Sequence, residues 1–303
     1  MRVLVTGARG QVGADVADLL GGRAEVIACD RAALDLADPA AIAERVRAAR
    51  PALIVNAGAY TAVDRAESEV DLARAVNARA PEVLAAEAKR AGALLVHYST
   101  DYVFDGAKDG PYVETDPTAP LGVYGATKLE GERAVAASGC AHLILRTSWV
   151  YAPRGRNFML TMLRLGAERD ELRVVDDQRG APTASRELAR ATLALVASGT
   201  APLTAEGLAQ AAAKSGLYHA TAAGDTTWCG FARAIFAAWS KRAGAAFRVP
   251  RVVPIATREY PTPARRPANS VLSNARLHDA FGVRLADWPT GLAEAIAALP
   301  AGR

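Results

Sequence analysis

The first half of the chain alternates short apolar runs with segments of helical periodicity. The apolar runs are "RVLVTG", "AEVIACD", "LIVNAGA", "LLVHYS" and "HLILRTSWV", and amphipathic segments such as "PAAIAERVRAAR" separate them. Parallel strands require a long crossover, which is usually a helix, so this alternation predicts a parallel sheet with helices on both faces. The predicted fold class is therefore α/β, with a doubly wound sheet.

The regularity weakens after Trp149, which indicates a second unit. We expect residues 1–149 to form one domain and the remaining segments of 150–303 to form a second, smaller domain. Two later segments, of about 185–198 and 216–240, are predicted to return to the first domain. The proline-rich stretch "VPIATREYPTPARRPANS" is expected to be a surface loop, because proline is excluded from central strands and helix interiors.

Composition limits the class of protein. At 303 residues and 51% hydrophobic, the chain can bury a sizeable core. The net charge of +4 is scattered among many acids, which argues against a nucleic-acid partner. The first residues are broken by glycines, and apolar residues nowhere run on for about eighteen positions, so we expect no secretory signal and no membrane span. We therefore expect a cytoplasmic protein without a membrane partner.

The cysteines and histidines show no pattern of a metal site. Three widely separated cysteines lack C-x-x-C spacing and are expected to be free thiols in a reducing compartment: Cys29, Cys140 and Cys229. The four histidines have no clustered partners that would suit a metal. His97 alternates with apolar neighbours in a strand and is expected to be packed there.

A glycine-rich turn follows the first apolar run. "RVLVTGARGQVGADV" contains Gly7, Gly10 and Gly13 in G-x-x-G-x-x-G spacing, between a predicted strand and a predicted helix. Such glycines permit a tight turn and let a pyrophosphate approach the amino end of the helix. Glycines also serve as ordinary turn residues, so the context of the motif carries the prediction of a dinucleotide site.

An acidic residue supports this interpretation. Asp30 ends the second predicted strand, seventeen positions after Gly13. A carboxylate there can accept hydrogen bonds from the adenosine ribose hydroxyls, although an aspartate solvated in a turn is the alternative. Arg31 follows at once and could pair with a 2′-phosphate. The sequence therefore leaves the choice between NADH and NADPH open.

A tyrosine and a lysine lie four positions apart in "VYGATKLEGE". In a helix, Tyr124 and Lys128 would lie on the same face, one turn apart. Such a pair is also common on solvated helices. Upstream, the apolar run "LLVHYS" leads into Thr100 and Asp101, at the strand end where open α/β sheets bind ligands. A hydroxyl there, the Tyr-x-x-x-Lys pair and the glycine turn together indicate an enzyme.

This combination resembles the short-chain dehydrogenase/reductase superfamily in its extended form. Further blocks, "IVNAGAYTAVDRAE", "STDYVFDG", "RTSWVY", "DDQRGAPT" and "RRPANS", are similar to its branch that reduces dTDP-4-dehydro-L-rhamnose to dTDP-L-rhamnose. They match in order over nearly the whole chain. The resemblance implies that residues 1–149 form a Rossmann-type NAD(P)-binding domain, that the later segments bind a nucleotide sugar, and that NADPH or NADH is the cofactor.

The resemblance also implies catalytic roles. Tyr124 would protonate the oxygen of the C4 ketone, and Thr100 would hydrogen-bond the same oxygen. A free phenol has a pKa of about 10, and the nearby ammonium of Lys128 is expected to lower the pKa of Tyr124. Lys128 would also donate to the nicotinamide ribose.

Further positions follow from the same resemblance. The cofactor site would comprise Gly7, Gly10, Gln11, Val12 and Gly13 at the pyrophosphate, Asp30, Asp35 and Leu36 at the adenosine, and Ala59, Tyr60, Thr61 and Tyr98 along the rest, with Tyr124 and Lys128. Asp101 and Trp149 would join Thr100 at the substrate, although Trp149 could simply be core. Arg266 could clamp a diphosphate through its planar fork, and its neighbour Arg265 could serve equally.

Some members of this branch hold a magnesium ion between carboxylates of two subunits. Here Asp15 matches one of those positions, whereas Arg186 and Pro289 stand at the others. We therefore expect no metal, and either a monomer or a metal-independent homodimer. Two alternatives remain for the function: a ketoreductase for another nucleotide-linked deoxysugar, or a non-catalytic regulatory subunit of the same fold.

Overall fold

A parallel sheet organises the structure. The computed structural model describes residues 1–197, 202–244 and 247–300. In these residues the main sheet has six strands, and every neighbouring pair is parallel. Their order across the sheet is Gly216–His219, His142–Thr147, Leu94–Thr100, Leu53–Asn56, Arg2–Thr6 and Glu25–Cys29. Helices cover both faces, so the predicted doubly wound α/β fold is confirmed.

The first part of the chain supplies the strands and helices that the alternation predicts. These are β1 (Arg2–Thr6), α1 (Gln11–Leu20), β2 (Glu25–Cys29), α2 (Pro39–Ala49), β3 (Leu53–Asn56), α3 (Val63–Ala66), α4 (Val70–Arg74), a π-helical turn (Ala75–Arg79), α5 (Ala80–Ala91), β4 (Leu94–Thr100), a 3₁₀ turn (Asp101–Val103), α6 (Val123–Ala137) and β5 (His142–Thr147).

The later part contains shorter strands between its helices. The elements are β6 (Val150–Tyr151), α7 (Phe158–Glu168), β7 (Glu171–Val175), β8 (Arg179–Gly180), β9 (Thr183–Ala184), α8 (Ser185–Val196), α9 (Ala205–Ala212), β10 (Gly216–His219), β11 (Thr226–Thr227), α10 (Trp228–Ala243), β12 (Arg251–Ile255), a 3₁₀ turn (Thr257–Glu259), α11 (Ala275–Phe281) and α12 (Trp288–Ala297).

The strand order reverses between β1 and β3. The chain goes from β1 outward to β2, and then returns past β1 to β3 and on to β4 and β5. Such a switch point opens a crevice at the carboxyl ends of the strands, because the connections on its two sides leave in opposite directions. The glycine turn after β1 and the ends of β3, β4 and β5 therefore share one edge of the sheet.

The described residues form four apolar clusters, of which three are large. One lies between the sheet and α1, α8 and α9, and includes Val5 and Leu188. A second lies between the opposite face and α2 and α5, and includes Ile54 and Leu84. The third is separate from the sheet and joins α7, α10 and α12 around Phe231.

The two segments predicted to return to the sheet behave differently. Helix α8 packs on α1, within the predicted segment 185–198, whose last residue lies outside the described residues. From 216–240, the strand Gly216–His219 pairs with β5, but α10 belongs to the third cluster. Helix α10 packs against α7 and α12, and its assignment to the first domain stays a prediction. The division into two domains remains a proposal.

The three cysteines are buried and unpaired in the structure. Among residues 1–197, 202–244 and 247–300, we find no helix with the length and apolar character that crossing a membrane requires.

Helix α6 approaches its neighbours through glycines. A Cβ at Gly131 would lie 2.2 Å from the carbonyl oxygen of Asn77 in the π-helical turn, and a Cβ at Gly125 would lie 2.1 Å from that of Tyr102. Backbone atoms cannot yield as a flexible side chain does. The helix that carries Tyr124 and Lys128 is therefore held close to two neighbouring segments.

We predict that Gly131→Ala destabilises the protein. The overpacking should cost about 1–3 kcal/mol, more than the roughly 0.8–1 kcal/mol that alanine gains over glycine in a helix. Denaturant unfolding measures the difference. Gly110→Ala is the control, since nothing lies within 4 Å of its added Cβ. Equal stability of the two variants would contradict the close packing of α6.

Candidate active site

The loop after β1 is shaped by backbone contact. Gly7 has φ +63°, and a Cβ there would lie 2.7 Å from the backbone of Gly58, which follows β3. A Cβ at Gly13 would lie 2.2 Å from the carbonyl oxygen of Gly7, and the N–H of Gly10 donates to that oxygen at 2.8 Å. No side chain fits between these turns, so the crevice at the switch point stays open to a ligand.

Asp30 lies at the side of this crevice and is already paired. Its carboxylate accepts the N–H of Ala33 at 2.9 Å and forms an ion pair with Arg9 at 2.8 Å. Arg9 comes from the glycine loop and is 88% exposed, so the pair is weak and salt-sensitive. Arg31 also faces the groove. Two guanidinium groups therefore flank the carboxylate that we predicted to bind ribose.

The three residues predicted at the adenosine line one groove, together with some of those predicted elsewhere along the cofactor. The groove has about 580 Å³ of empty space, and its lining includes Gly7, Asp30, Asp35, Leu36, Ala59 and Tyr60. The Tyr60 hydroxyl donates to Glu69 at 2.7 Å, and buried Asn77 bonds both the N–H and the carbonyl of Tyr60. Thr61 follows as an exposed residue.

Gln11 and Val12 begin helix α1 but point away from the groove. The Gln11 amide accepts from Asn157 at 2.8 Å and lies 3.4 Å from the carbonyl of Val150. Val12 packs against the first apolar cluster. Their backbone N–H groups lie at the start of the helix and remain available to bind an anion.

Thr100 and Asp101 are buried at the end of β4. The Thr100 hydroxyl donates to the Asp101 carboxylate at 2.8 Å and accepts the N–H of Tyr102. Burial raises the pKa of Asp101 to about 6, although hydrogen bonds from Ser270 and Thr100 act in the opposite direction. The C-terminal loop that holds Ser270 thus closes over the end of this strand.

Tyr124 stands in the first turn of α6, edge-on to the ring of Tyr102 at 5.7 Å between centroids. Burial raises the pKa of Tyr124 to about 12, and a hydrogen bond with Thr100 opposes this rise. We expected Lys128 to lower this pKa. That expectation was wrong, because desolvation disfavours the phenolate and only the hydrogen bond with Thr100 opposes it, with no lowering by Lys128.

Lys128 is buried one turn further along α6. Its ammonium donates to the carbonyl of Tyr98 at 2.6 Å. Burial lowers the pKa of Lys128 to about 8, and the negative charge of Glu132 acts against this fall. The Tyr98 phenol lies elsewhere, against Thr192 at 2.5 Å within the first apolar cluster. Only the backbone of Tyr98 therefore faces Lys128.

Trp149 has an unusual conformation. Its φ is +46°, a value that is rare for a bulky side chain. The indole stacks on Trp228 with centroids 3.5 Å apart and planes 6° apart. The Trp228 N–H donates to Gln178 at 3.2 Å. The stack fixes the orientation of the Trp149 ring. Trp149 lies two residues after Thr147, which pairs with Thr100 across the sheet.

The two arginines that the sequence left open differ in their surroundings. Arg266 bonds Asp64 at 2.9 Å and the carbonyl of Ala264 at 3.1 Å, so its guanidinium is engaged. Arg265 is exposed and lines a pocket together with Tyr124. Arg265 therefore has the freer cation beside the site.

The positions compared with the magnesium site hold ion pairs. Arg154 and Ser185 bond Asp15, while Arg186 bonds Asp18 and lies 3.7 Å from Asp15. Pro289 lies in the first turn of α12. No cluster of three or more potential metal ligands occurs among residues 1–197, 202–244 and 247–300.

Sequence reasoning missed several residues around the site. Glu132 and Arg146 form a buried pair behind Lys128, Asn77 holds the loop after β3, and Trp228 supports Trp149. Only Glu132 had a local signal, because it lies four positions after Lys128. The others meet the site through contacts between distant parts of the chain.

The fold and this constellation define an enzyme of the extended short-chain dehydrogenase/reductase class. Within it, the chain belongs to the RmlD substrate binding domain family, whose model matches residues 1–300. The resemblance drawn from the motifs is thereby confirmed.

Relatives and solved structures agree with this membership. The chain is 53% identical over 292 residues to a dTDP-4-dehydrorhamnose reductase of Burkholderia thailandensis, covering 95% of each chain. It is similar to the crystal structure of a dTDP-4-dehydrorhamnose reductase from Clostridium acetobutylicum, with a TM-score of 0.88, 39% identity and coverage of 98% and 99%. A Bacillus anthracis enzyme of that name, in complex with NADP, gives a TM-score of 0.87 at 34% identity, with 98% of each chain covered.

We predict that Gly180→Ala displaces the Trp149 indole. A Cβ at this position would lie 2.5 to 2.7 Å from atoms of that ring. The stacked pair should separate, and the near-ultraviolet circular dichroism of the indoles should weaken. Gly216→Ala is the control, because its added Cβ meets nothing closer than 3.5 Å. An unchanged Gly180→Ala spectrum would show that the stack does not depend on this glycine.

Proposed function

We propose that this chain is an NAD(P)H-dependent reductase that converts dTDP-4-dehydro-L-rhamnose to dTDP-L-rhamnose, a precursor of cell-surface polysaccharide. The observation that carries the proposal is the convergence of Thr100, Tyr124 and Lys128 at the edge of the sheet that also bears the glycine turn. A binding module has no use for a half-buried proton donor one helical turn from a buried cation. The names of the relatives support the same substrate.

The dinucleotide fits the crevice at the switch point. The close backbone approach of Gly7, Gly13 and Gly58 leaves room for a pyrophosphate at the amino end of α1. The adenosine half would lie in the groove that includes Asp30 and Leu36. When bound, the nicotinamide supplies a hydride to the ketone carbon. The NADP complex of the Bacillus anthracis enzyme supports this cofactor class.

Tyr124 acts as the general acid in this proposal. With a pKa raised to about 12, the phenol keeps its proton at neutral pH. The C4 oxygen becomes an alkoxide as it gains charge, and an alkoxide is a stronger base than a phenolate, so proton transfer from Tyr124 remains favourable. The Thr100 hydroxyl lies at the same strand end and stabilises the developing charge.

Lys128 contributes its positive charge. Its ammonium has donors left for a ribose hydroxyl, because the one carbonyl that it binds is that of Tyr98.

The substrate would lie between Asp101 and Trp149. The carboxylate can accept from sugar hydroxyls, and the Trp149 ring, fixed by Trp228, offers an apolar wall. Arg265, exposed beside Tyr124, is the better placed of the two arginines for the diphosphate of the nucleotide sugar.

The finer points of the proposal concern the setting of the enzyme. We place it in the cytoplasm as a monomer or a metal-independent homodimer, with no nucleic-acid or membrane partner. The arginines beside Asp15 support metal independence, because they occupy the space and charge that a cation would need. A ketoreductase for another nucleotide-linked deoxysugar is the alternative, and an assay with epimeric dTDP-4-keto sugars separates the two.

Tyr124→Phe should abolish most turnover and leave cofactor affinity nearly unchanged, because only the acidic proton is lost. General acid catalysis typically contributes roughly 10²–10⁴-fold. Lys128→Ala should impair both turnover and cofactor binding. The near-ultraviolet absorbance of NADPH, which disappears on oxidation, measures turnover, and quenching of protein fluorescence measures cofactor binding.

A matched control is Tyr260→Phe, which removes a hydroxyl from an exposed tyrosine elsewhere on the surface. It should retain full turnover. A loss of less than about tenfold in Tyr124→Phe would remove Tyr124 from the role of general acid.

We also predict that both NADH and NADPH serve as cofactors. A carboxylate at Asp30 repels a 2′-phosphate, but Arg9 and Arg31 offset that repulsion. Arg9→Ala should shift the preference toward NADH by up to about fivefold, as expected for an exposed pair worth at most about 1 kcal/mol. Arg169→Ala, a change at another exposed arginine, should shift nothing.

Steady-state kinetics with each cofactor measures these ratios. If kcat/KM with one cofactor is less than about a hundredth of that with the other, a difference near 2.7 kcal/mol, dual use is wrong.

A further inference from the structure

A buried ion pair lies behind the proposed catalytic residues. Arg146 of β5 donates to both carboxylate oxygens of Glu132, at 2.9 and 2.7 Å. Both side chains are only 4% exposed. Neither residue lines the groove or the pocket beside Tyr124, although Arg146 lies over the ring of Phe104, which lines that pocket, and the proposed chemistry does not use the pair.

Glu132 connects three elements of the site. It belongs to α6, one turn after Lys128 on the same face of the helix. The Ser99 hydroxyl of β4 donates to Glu132 at 2.5 Å, directly before Thr100. Arg146 directly precedes Thr147, whose neighbour across the sheet is Thr100. One carboxylate therefore ties the helix of Tyr124 and Lys128 to the strand end of Thr100.

Stability alone does not explain such a pair. Desolvating two charges offsets most of their attraction, and well-packed apolar residues of similar volume are often at least as stable. Position 132 lies on the face of α6 that packs into the protein, where an apolar side chain would be the ordinary choice. A charge retained there calls for another explanation.

Few charged groups face Lys128. On its own helix these are Glu132 and the neutral phenol of Tyr124. From β4 come the Tyr98 carbonyl and His97, which burial keeps neutral because its pKa is well below the usual value. Arg146 of β5 lies beyond Glu132 and donates to both oxygens of that carboxylate. Glu132 is therefore the negative charge that acts on Lys128.

We propose that Glu132 is a positioning residue, which fixes α6 against β4 and β5 and presents a negative charge to the ammonium of Lys128. The proposal rests on the function proposed for Lys128. Glu132 touches neither substrate nor cofactor, and acts only through Lys128 and through the placement of the helix.

The test is the pH dependence of kcat/KM for NADPH, which reports the ionisation of the free enzyme. In the wild type, activity should fall as pH rises through about 8, where Lys128 loses its proton. This fall in activity is the alkaline limb of the pH profile. In Glu132→Gln, loss of the neighbouring charge should move the alkaline limb to a pH about one unit lower. Activity at pH 6 should then nearly match the wild type, whereas at pH 8 it should be about fivefold lower.

Glu130→Gln is the matched control. It makes the same change of charge on the same helix, but Glu130 is exposed and pairs with Arg74 at the surface. Its pH profile should coincide with that of the wild type. Arg146→Lys should also keep the limb in place, because it preserves the charge that balances Glu132.

Glu132→Gln leaves Arg146 buried without its partner, so this variant could fail to fold. The double variant Glu132→Gln with Arg146→Met removes both charges, so the same pH profile can be measured without an unpaired buried charge. Thermal denaturation verifies that it folds. The alkaline limb of this double variant should still lie at a lower pH than that of the wild type, because the charge facing Lys128 is gone.

If Lys128→Ala is impaired as expected, two results would overturn the role proposed for Glu132 without affecting the function proposed for Lys128. One is a uniform loss at every pH in both variants, which a purely structural role would give. The other is an equal shift in Glu130→Gln, which a general surface-charge effect would give. If Lys128→Ala instead keeps turnover and the same alkaline limb, the function proposed for Lys128 fails, and the role of Glu132 fails with it.

Discussion

Two turns of backbone lie against each other at the point where the strand order reverses, and the site depends on that contact. The turn after β1 meets the turn after β3 so closely that a side chain at Gly7 would overlap Gly58. Because these turns stay small, α1 can begin at the crevice, and the ends of β3, β4 and β5 remain open beside it. Thr100 and the helix of Tyr124 then lie along the same edge as the dinucleotide groove.

Burial is the dominant influence on the ionisable groups at this edge. It raises the pKa values of Asp101 and Tyr124 and lowers those of Lys128 and His97, so that each group is shifted toward its neutral form. A site with little water strengthens every electrostatic interaction within it. The buried side chains of Glu132 and Arg146 pair with each other at close range.

The sequence predicted those features that depend on short stretches of chain. Alternating apolar runs indicated the sheet, and the spacings around Gly7 and Tyr124 indicated the groove and the catalytic helix. The partners of these residues could not be predicted in the same way. Trp149 stacks on Trp228 across a long stretch of chain, and α10 could have packed on either core. The pKa of Tyr124 depends on burial, which a helical spacing of two residues does not reveal.

Helix α6, which carries the proposed catalytic residues, was harder to predict than the helices of the core. Its buried face contains glycines, Thr127, Lys128 and Glu132 rather than a continuous apolar stripe. Apolar packing tolerates small slips, because it is not directional. Hydrogen bonds and backbone contacts at glycine do not tolerate them, since their energies fall steeply with distance and angle. A helix held by polar bonds and glycines can place Tyr124 more accurately than one held by apolar packing, and accuracy of position is what proton transfer requires.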